Sequence, residues 1–132
     1  MGEDNLPDAL LVKEAIRTEN LQLQVYLAED GERVVDFIAR SEKDSAAPCP
    51  HVLLLDLNLP RISGFEVLLK IRNSEKYKNL PVIVVTSSDS PADRSRAAEL
   101  GANYFRKPIT YDEFLALGGY LRQFLQDRNM LS

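Results

Sequence analysis

Short apolar runs of strand length alternate with segments of helical periodicity along this chain. The stronger runs are apolar without polar alternation, so we expect both faces of their sheet to be covered. Alternation of this kind is typical of βαβ units with right-handed crossovers, and predicts an α/β fold with a parallel sheet. The predicted strands are Leu23–Ala28 (LQVYLA), Val52–Leu57 (VLLLDL), Val82–Ser87 (VIVVTS) and the weaker Asn103–Lys107 (NYFRK).

Five segments between these runs have helical periodicity. Asn5 is a candidate cap for the first, Pro91 stands at an early position of the fourth, and Gly101 follows its end. Gly118 and Gly119 interrupt the fifth, and a bend there is expected. The predicted helices are Pro7–Thr18, Gly31–Arg40, Gly64–Ser74, Pro91–Leu100 and Tyr111–Gln126; Ser41–His51 is predicted as a long loop.

Composition excludes several classes of protein. The 132 residues fit one domain spanning 1–132, and 45% hydrophobic with 27% charged residues is a normal globular profile. A net charge of −4 argues against nucleic-acid binding. No apolar run approaches the roughly 20 residues of a membrane span, so no membrane partner is expected. With no signal peptide and a single cysteine, Cys49, the cytoplasm is the expected location.

Polar residues close the predicted strands. Asp56 follows four apolar residues, Thr86 ends the next run, Lys107 ends the last, and Glu3 and Asp4 precede the first helix. In open α/β sheets the carboxyl ends of the strands carry the functional groups, so we expect these side chains to gather. Clustered carboxylates favour a hard divalent cation such as Mg²⁺. A cation beside a carboxylate and an ammonium suits phosphoryl transfer.

Four segments in this order and spacing resemble the receiver domains of two-component response regulators: EDN, LLLDLNLPRISGFEVL, VIVVTSSD and YFRKP. The resemblance covers nearly the whole chain. It implies a flavodoxin-like sandwich of helices around a parallel sheet with strand order 2-1-3-4-5. It also implies a phosphoacceptor in a two-component system, with at most self-catalysed phosphotransfer and slow autodephosphorylation, and not an enzyme.

The same resemblance assigns residues to the phosphoacceptor site. Asp56 is expected to accept a phosphoryl group from a histidine kinase. Asp4, helped by Glu3, is expected to hold Mg²⁺ together with Asp56 and the backbone carbonyl of Asn58. Thr86 is expected to bond a phosphoryl oxygen.

Further expectations concern the last strand and the loop after Asp56. Lys107 is expected to pair with the phosphoryl group, and the Lys107–Pro108 bond to be cis. Tyr104 matches the aromatic residue that moves inward with Thr86, and these two form the expected switch. Gly64 matches the glycine in the loop after the phosphorylated strand.

Partners follow from the same family. A downstream protein partner is expected to bind the fourth helix, the strand with Tyr104 and the fifth helix, since only six residues follow Gln126 and no output domain fits. The long loop and LLLDLNLP resemble stand-alone receivers that serve bacterial phytochrome-type kinases. His51 and Cys49 are expected to be ordinary loop residues.

Three alternative functions can be compared with the residues of the sequence. A haloacid-dehalogenase-type phosphatase needs a second acid two residues after the first, where this chain has Asn58. A dinucleotide binder needs G-x-G-x-x-G after a strand, and none is present. A receiver-like protein-binding module without phosphorylation remains the alternative.

The start of the chain conflicts with the family pattern. Only Met1 and Gly2 precede Glu3, so the strand expected before the acids is truncated. The flanking strands are then expected to pair directly, leave a gap, or accept a strand from another chain in a homodimer. Direct pairing would shift the sheet by about 4.8 Å and move Glu3 and Asp4 away from Asp56, which would weaken metal binding.

Overall fold

A computed structural model describes residues 1–21 and 23–128 of the chain. These residues form two compact units, one of Met1–Asp4 and Leu27–Arg106, and one of the described residues within Asn5–Tyr26 and Lys107–Ser132. Helices and strands alternate after the first two helices, in the order α1 (Leu6–Thr18), α2 (Gly31–Lys43), β1 (Leu53–Leu55), α3 (Gly64–Arg72), β2 (Val82–Thr86), α4 (Pro91–Glu99), β3 (Asn103–Arg106) and α5 (Tyr111–Asp127).

The three strands form a parallel sheet in the order β1-β2-β3, as the apolar runs predict. Leu55 of β1 pairs with Val84 of β2, which pairs in turn with Tyr104 of β3. All residues of β1 and β2 are buried. The strands thus bring the residues that follow them, Asp56 and those after Thr86, to one edge.

The first residues of the chain lie beside β1. Gly2 bridges Leu55 on one side and Ala28 on the other, both in parallel orientation. Its N–H donates to the carbonyl of Leu54 (2.8 Å) and its carbonyl accepts from the N–H of Asp56 (3.0 Å). Gly2 therefore occupies the position of the first strand in the order 2-1-3-4-5, but as one bridging residue and not as a strand.

The prediction of a strand over Leu23–Ala28 is wrong for this structure. Only Ala28 makes a bridge, through its N–H to the Met1 carbonyl and its carbonyl to the Glu3 N–H. Apolar, β-rich residues form a strand only where a neighbour supplies hydrogen bonds, and the bridge from this segment to Gly2 is made at Ala28. Of the three expected outcomes at the start of the chain, direct pairing of the flanking segments does not occur, because Gly2 lies between them, and a strand from another chain stays a prediction.

Helix caps explain where the helices of this first unit begin. The side chains of Asp30, Ser63 and Ser90 accept backbone N–H groups at the starts of α2, α3 and α4. Apolar faces of these helices pack with β1 and β2 into one core. Its buried members are Val34, Ile38, Leu53, Leu55, Leu57, Leu59, Val67, Leu68, Ile71, Tyr77, Leu80, Val82, Val84, Ala97 and Ala102.

Arg72, at the end of α3, holds together the segments that enter β2 and β3. Its guanidinium donates to the carbonyls of Leu80 (2.9 Å) and Leu100 (2.6 Å), and further bonds reach Lys78 and Gly101. Partial burial lowers the pKa of Arg72 below its ordinary value. Arg72 therefore connects the ends of α3 and α4 to the two loops at the amino edge of the sheet.

In the second unit, α1 and α5 pack against each other along their buried faces. The α5 helix is continuous through Gly118, and a Cβ there would lie 2.6 Å from the Ala15 carbonyl oxygen. The glycine therefore permits close approach of the two helices and does not end α5. Arg122 adds an ion pair with Glu19 at 3.2 Å. No helix within residues 1–21 and 23–128 is long and apolar enough to cross a membrane.

Candidate functional site

Three carboxylates meet beside the carboxyl end of β1. One oxygen each from Glu3, Asp4 and Asp56 lies within 4.8 Å of the other two. Glu3 and Asp56 are only 4% and 5% exposed, whereas Asp4 is exposed. Like charges held this close repel each other, and a bound cation would remove that repulsion. The displacement of Glu3 and Asp4 that direct strand pairing would cause does not occur, because Gly2 lies between Leu55 and Ala28.

Backbone bonds explain how so short a terminus reaches Asp56. Gly2 is buried and spans Leu54 to Asp56, so the next two residues emerge beside the Asp56 carboxylate. A Cβ at Gly2 would lie 3.0–3.2 Å from side-chain carbons of Val34, Leu55 and Leu59. The glycine thus lets the terminus pass through a crowded position, which sequence reasoning did not identify.

The loop after Asp56 is tightly constrained. The Asn58 N–H donates to Asp56 Oδ1 at 3.0 Å, which orients the carboxylate. A Cβ at Gly64 would lie 2.4 Å from the Asp56 carbonyl oxygen and 2.6 Å from the Leu57 Cα, so only glycine fits the start of α3 here. This close approach gives a physical reason for the glycine at this position.

Arg61 in the same loop adopts a left-handed conformation that the sequence gives no sign of. Its φ is +69°, and the Ile62 N–H donates to the Pro60 carbonyl across it at 2.8 Å. A non-glycine residue in such a three-residue turn is strained. The Arg61 guanidinium lies 3.4 Å from Asp30 and 3.6 Å from Glu32, so ion pairs to the start of α2 offset part of this strain.

Thr86 is fully buried at the end of β2, the neighbour of β1. Its Oγ1 accepts the Ser88 N–H at 3.4 Å. The Tyr104 hydroxyl of β3 donates to the Ser88 carbonyl at 2.7 Å. The two predicted switch residues are thus joined through one residue of the loop after β2.

Lys107 directly follows β3 and begins the second unit. Its Nζ lies 3.0 Å from Asp8 Oδ2, and its pairing with a phosphoryl group stays a prediction. The expectation of a cis Lys107–Pro108 bond is wrong for this structure, since no described residue follows a cis peptide.

The donor set fits a divalent cation. Carboxylate oxygens are ligands that Mg²⁺, Ca²⁺ and Mn²⁺ share, and two of the three carboxylates here are buried at the site. Asp56 directly follows β1 and accepts a backbone hydrogen bond, and Glu3 and Asp4 follow Gly2, which bridges Leu55 and Ala28. The three carboxylates are therefore close enough together to share one cation.

Comparison with known proteins gives the family. A family model of the response regulator receiver domain matches residues 3–117. The chain belongs to the response regulator receiver family. The matched range includes the acid cluster, Thr86, Tyr104 and Lys107, and the parallel sheet described above is the sheet of this family's flavodoxin-like fold. Receiver domains act in two-component phosphorelay signalling.

Individual relatives have similar sequences and structures. The chain is 33% identical over 103 residues to Response regulator Rcp1 of Synechocystis, spanning 78% of this chain and 70% of Rcp1. The crystal structure of the phosphorylated cyanobacterial phytochrome response regulator RcpA is similar with a TM-score of 0.84 at 28% identity, covering 93% of this chain and 89% of RcpA. The Mn²⁺-bound form of Rcp1 gives 0.83 at 30% identity, covering 93% and 89%.

Proposed function

We propose that this receiver accepts a phosphoryl group on Asp56 from a histidine kinase in a Mg²⁺-dependent reaction. The observation that carries the proposal is the convergence of Glu3, Asp4 and Asp56 within 4.8 Å at the end of β1. Rcp1 in its Mn²⁺-bound form and RcpA in its phosphorylated form support it, because both resemble this chain over 93% of its length.

Each residue of the site has a role in the proposed reaction. Glu3, Asp4, Asp56 and the Asn58 carbonyl would hold the cation, which when bound neutralises charge on the incoming phosphoryl group. Asp56 Oδ attacks phosphorus, and the kinase histidine leaves with the bonding electron pair. The Asn58 N–H bond to Asp56 Oδ1 would help to orient the carboxylate for this attack. Thr86 and Lys107 would bind the phosphoryl oxygens.

The partners follow from this chemistry. The kinase is proposed to be of the phytochrome type, since RcpA is a phytochrome response regulator. The proposed location is the cytoplasm, and the proposed domain is 1–132. The signal would pass to a downstream protein that binds α4, β3 and α5. Thr86 and Tyr104 would form the bistable element of this switch. A homodimer formed through the gap beside Gly2 also stays a proposal.

Phosphorylation by a small donor such as acetyl phosphate tests the assignment directly. We expect one equivalent of hydroxylamine-sensitive, Mg²⁺-dependent label on the wild-type chain and none on Asp56→Asn. Asp36→Asn is the matched control, because Asp36 is an exposed aspartate on α2 and should leave labelling unchanged. Label retained on Asp56→Asn would end the assignment. Absence of label on the wild-type chain, with Mg²⁺ bound, would favour a protein-binding module without phosphorylation.

A further inference from the structure

Ser88 uses all its polar groups to connect the loop after β2 with both predicted switch residues. Its N–H donates to Thr86 Oγ1, and its carbonyl accepts from the Tyr104 hydroxyl. Its own hydroxyl donates to Asp93 Oδ2 at 2.7 Å and accepts the Ser90 N–H at 3.3 Å. The carbonyl that receives the Tyr104 hydroxyl is therefore fixed by the first turn of α4.

Arg94 covers the Tyr104 ring from the same helix. Its guanidinium carbon lies 4.5 Å from the centroid of the ring, within cation–π range. Asp89 lies 3.2 Å from Arg94 and 3.5 Å from Arg106, so its carboxylate links α4 to β3 beside the ring. Tyr104 is thus held at its hydroxyl by Ser88 and on its face by Arg94.

We propose that Arg94 is a positioning residue that holds Tyr104 in the rotamer bonded to Ser88, with Asp89 orienting Arg94. To leave this rotamer, the ring must give up both its hydrogen bond and its cation contact. This rotamer of Tyr104 is consequently favoured before any phosphoryl group is present. Phosphorylation then changes the rotamer equilibrium of Tyr104 only through Thr86. The proposal rests on the proposed switch role of Tyr104.

Fluorine NMR of protein labelled with 3-fluorotyrosine measures the Tyr104 environment without phosphorylation. The Tyr104 signal is assigned by its loss in Tyr104→Phe. In Arg94→Ala we expect this signal to shift and the ratio of Ser88-bonded to released rotamer to fall about 2–5-fold, the range of a partly exposed cation–π contact. Arg94→Lys keeps a cation and should restore part of the ratio, and Asp89→Asn should lower it by a smaller factor.

Arg96 supplies a matched control. It lies on the same helix and is exposed like Arg94, but its guanidinium lies 4.3 Å from the Phe65 ring instead. Arg96→Ala also removes one positive charge and replaces an exposed arginine of α4 with alanine. It should leave the Tyr104 signal unchanged. An unchanged Tyr104 signal in Arg94→Ala, or an equal shift in Arg96→Ala, would overturn the proposal.

Labelling with acetyl phosphate on the same samples separates this inference from the proposed function. A Tyr104 signal that responds to Arg94→Ala in a chain that takes no phosphoryl group supports the positioning role and refutes the phosphoacceptor role. A chain that is phosphorylated on Asp56, and whose Tyr104 signal does not change in Arg94→Ala, supports the phosphoacceptor role and refutes the positioning role.

Discussion

The two sides of the sheet at β1 are built very differently. On one side, β1 pairs with β2 over three residues and β2 with β3 over four, and Arg72 ties their entering loops together. On the other side, Gly2 makes one bridge to Leu55 and one to Ala28. We call these the laddered side and the bridged side.

This difference indicates which residues of the acid site the backbone holds firmly and which it holds less firmly. Thr86 belongs to the laddered side, and Asp56 directly follows the laddered residues of β1, with its own N–H donated to the Gly2 carbonyl. Glu3 and Asp4 follow the bridged side, where the bonds of Gly2 and its two neighbours set their position. Asp56 should therefore keep its place under changes that loosen Glu3 and Asp4.

Truncation of a core residue on the laddered side should give the largest loss in the free energy of unfolding. Leu55 is fully buried, so Leu55→Ala should lower the free energy of unfolding by about 2–5 kcal/mol. Leu23 belongs to the apolar run that forms no strand and is 39% exposed, so Leu23→Ala should cost less than about 1 kcal/mol. Urea denaturation measures both, and equal losses would show that the run around Leu23 is as well packed as β1.

A pair of glycine substitutions compares backbone crowding on the two sides. The Cβ of Gly64→Ala would overlap backbone atoms of Asp56 and Leu57, which cannot move aside, and should cost about 2–3 kcal/mol. The Cβ of Gly2→Ala would meet ends of flexible side chains at 3.0–3.2 Å, and should cost under about 1 kcal/mol. Thermal unfolding ranks the two variants, and the reverse order would contradict the described bridge.

Removal of the Arg72 guanidinium should weaken the laddered side without touching the acids. Arg72→Met keeps much of the side-chain volume but leaves partly buried carbonyls without their donor, so we expect a loss of about 1–3 kcal/mol. Divalent-cation affinity, measured by titration calorimetry on the folded variant, should stay near the wild-type value. A large loss of that affinity would show that the site depends on the amino edge of the sheet.

Extension of the chain before Met1 should stabilise the bridged side, with the smallest change in the free energy of unfolding among these predictions. Four added β-branched or aliphatic residues would continue the Gly2 bridges along β1, each new pair contributing roughly 0.2–1 kcal/mol. We expect the melting temperature to rise by a few degrees, about what roughly 1 kcal/mol gives in a chain of this size. Mg²⁺ affinity should rise with it, because Glu3 and Asp4 would be held more firmly.

A glycine–serine extension of the same length is the control, since it adds backbone without apolar contacts. It should leave both the melting temperature and Mg²⁺ affinity nearly unchanged. If the apolar extension changes neither quantity, the two bridges of Gly2 are already sufficient to place the acids.

Sequence alone determined the helices and the laddered strands, because their signals are local or strongly apolar. Caps such as Asn5 and Ser63 and 3.6-residue periodicity specify helices through bonds between near neighbours. The runs before Asp56 and through Thr86 are apolar enough to be buried wherever the chain folds. The candidate acids could be named in advance, since carboxylates at such strand ends stand out from their apolar surroundings.

Only the tertiary structure decided the rest, because strand pairing and close packing depend on partners far along the chain. Leu23–Ala28 has the composition of a strand but makes its bridge only at Ala28, whereas Gly2 lacks strand propensity but takes part in two bridges. Gly118 weakens a helix by propensity, yet the contact with Ala15 makes it the residue that fits. The position of Arg94 over Tyr104 likewise depends on how α4 packs beside β3, which no local pattern specifies.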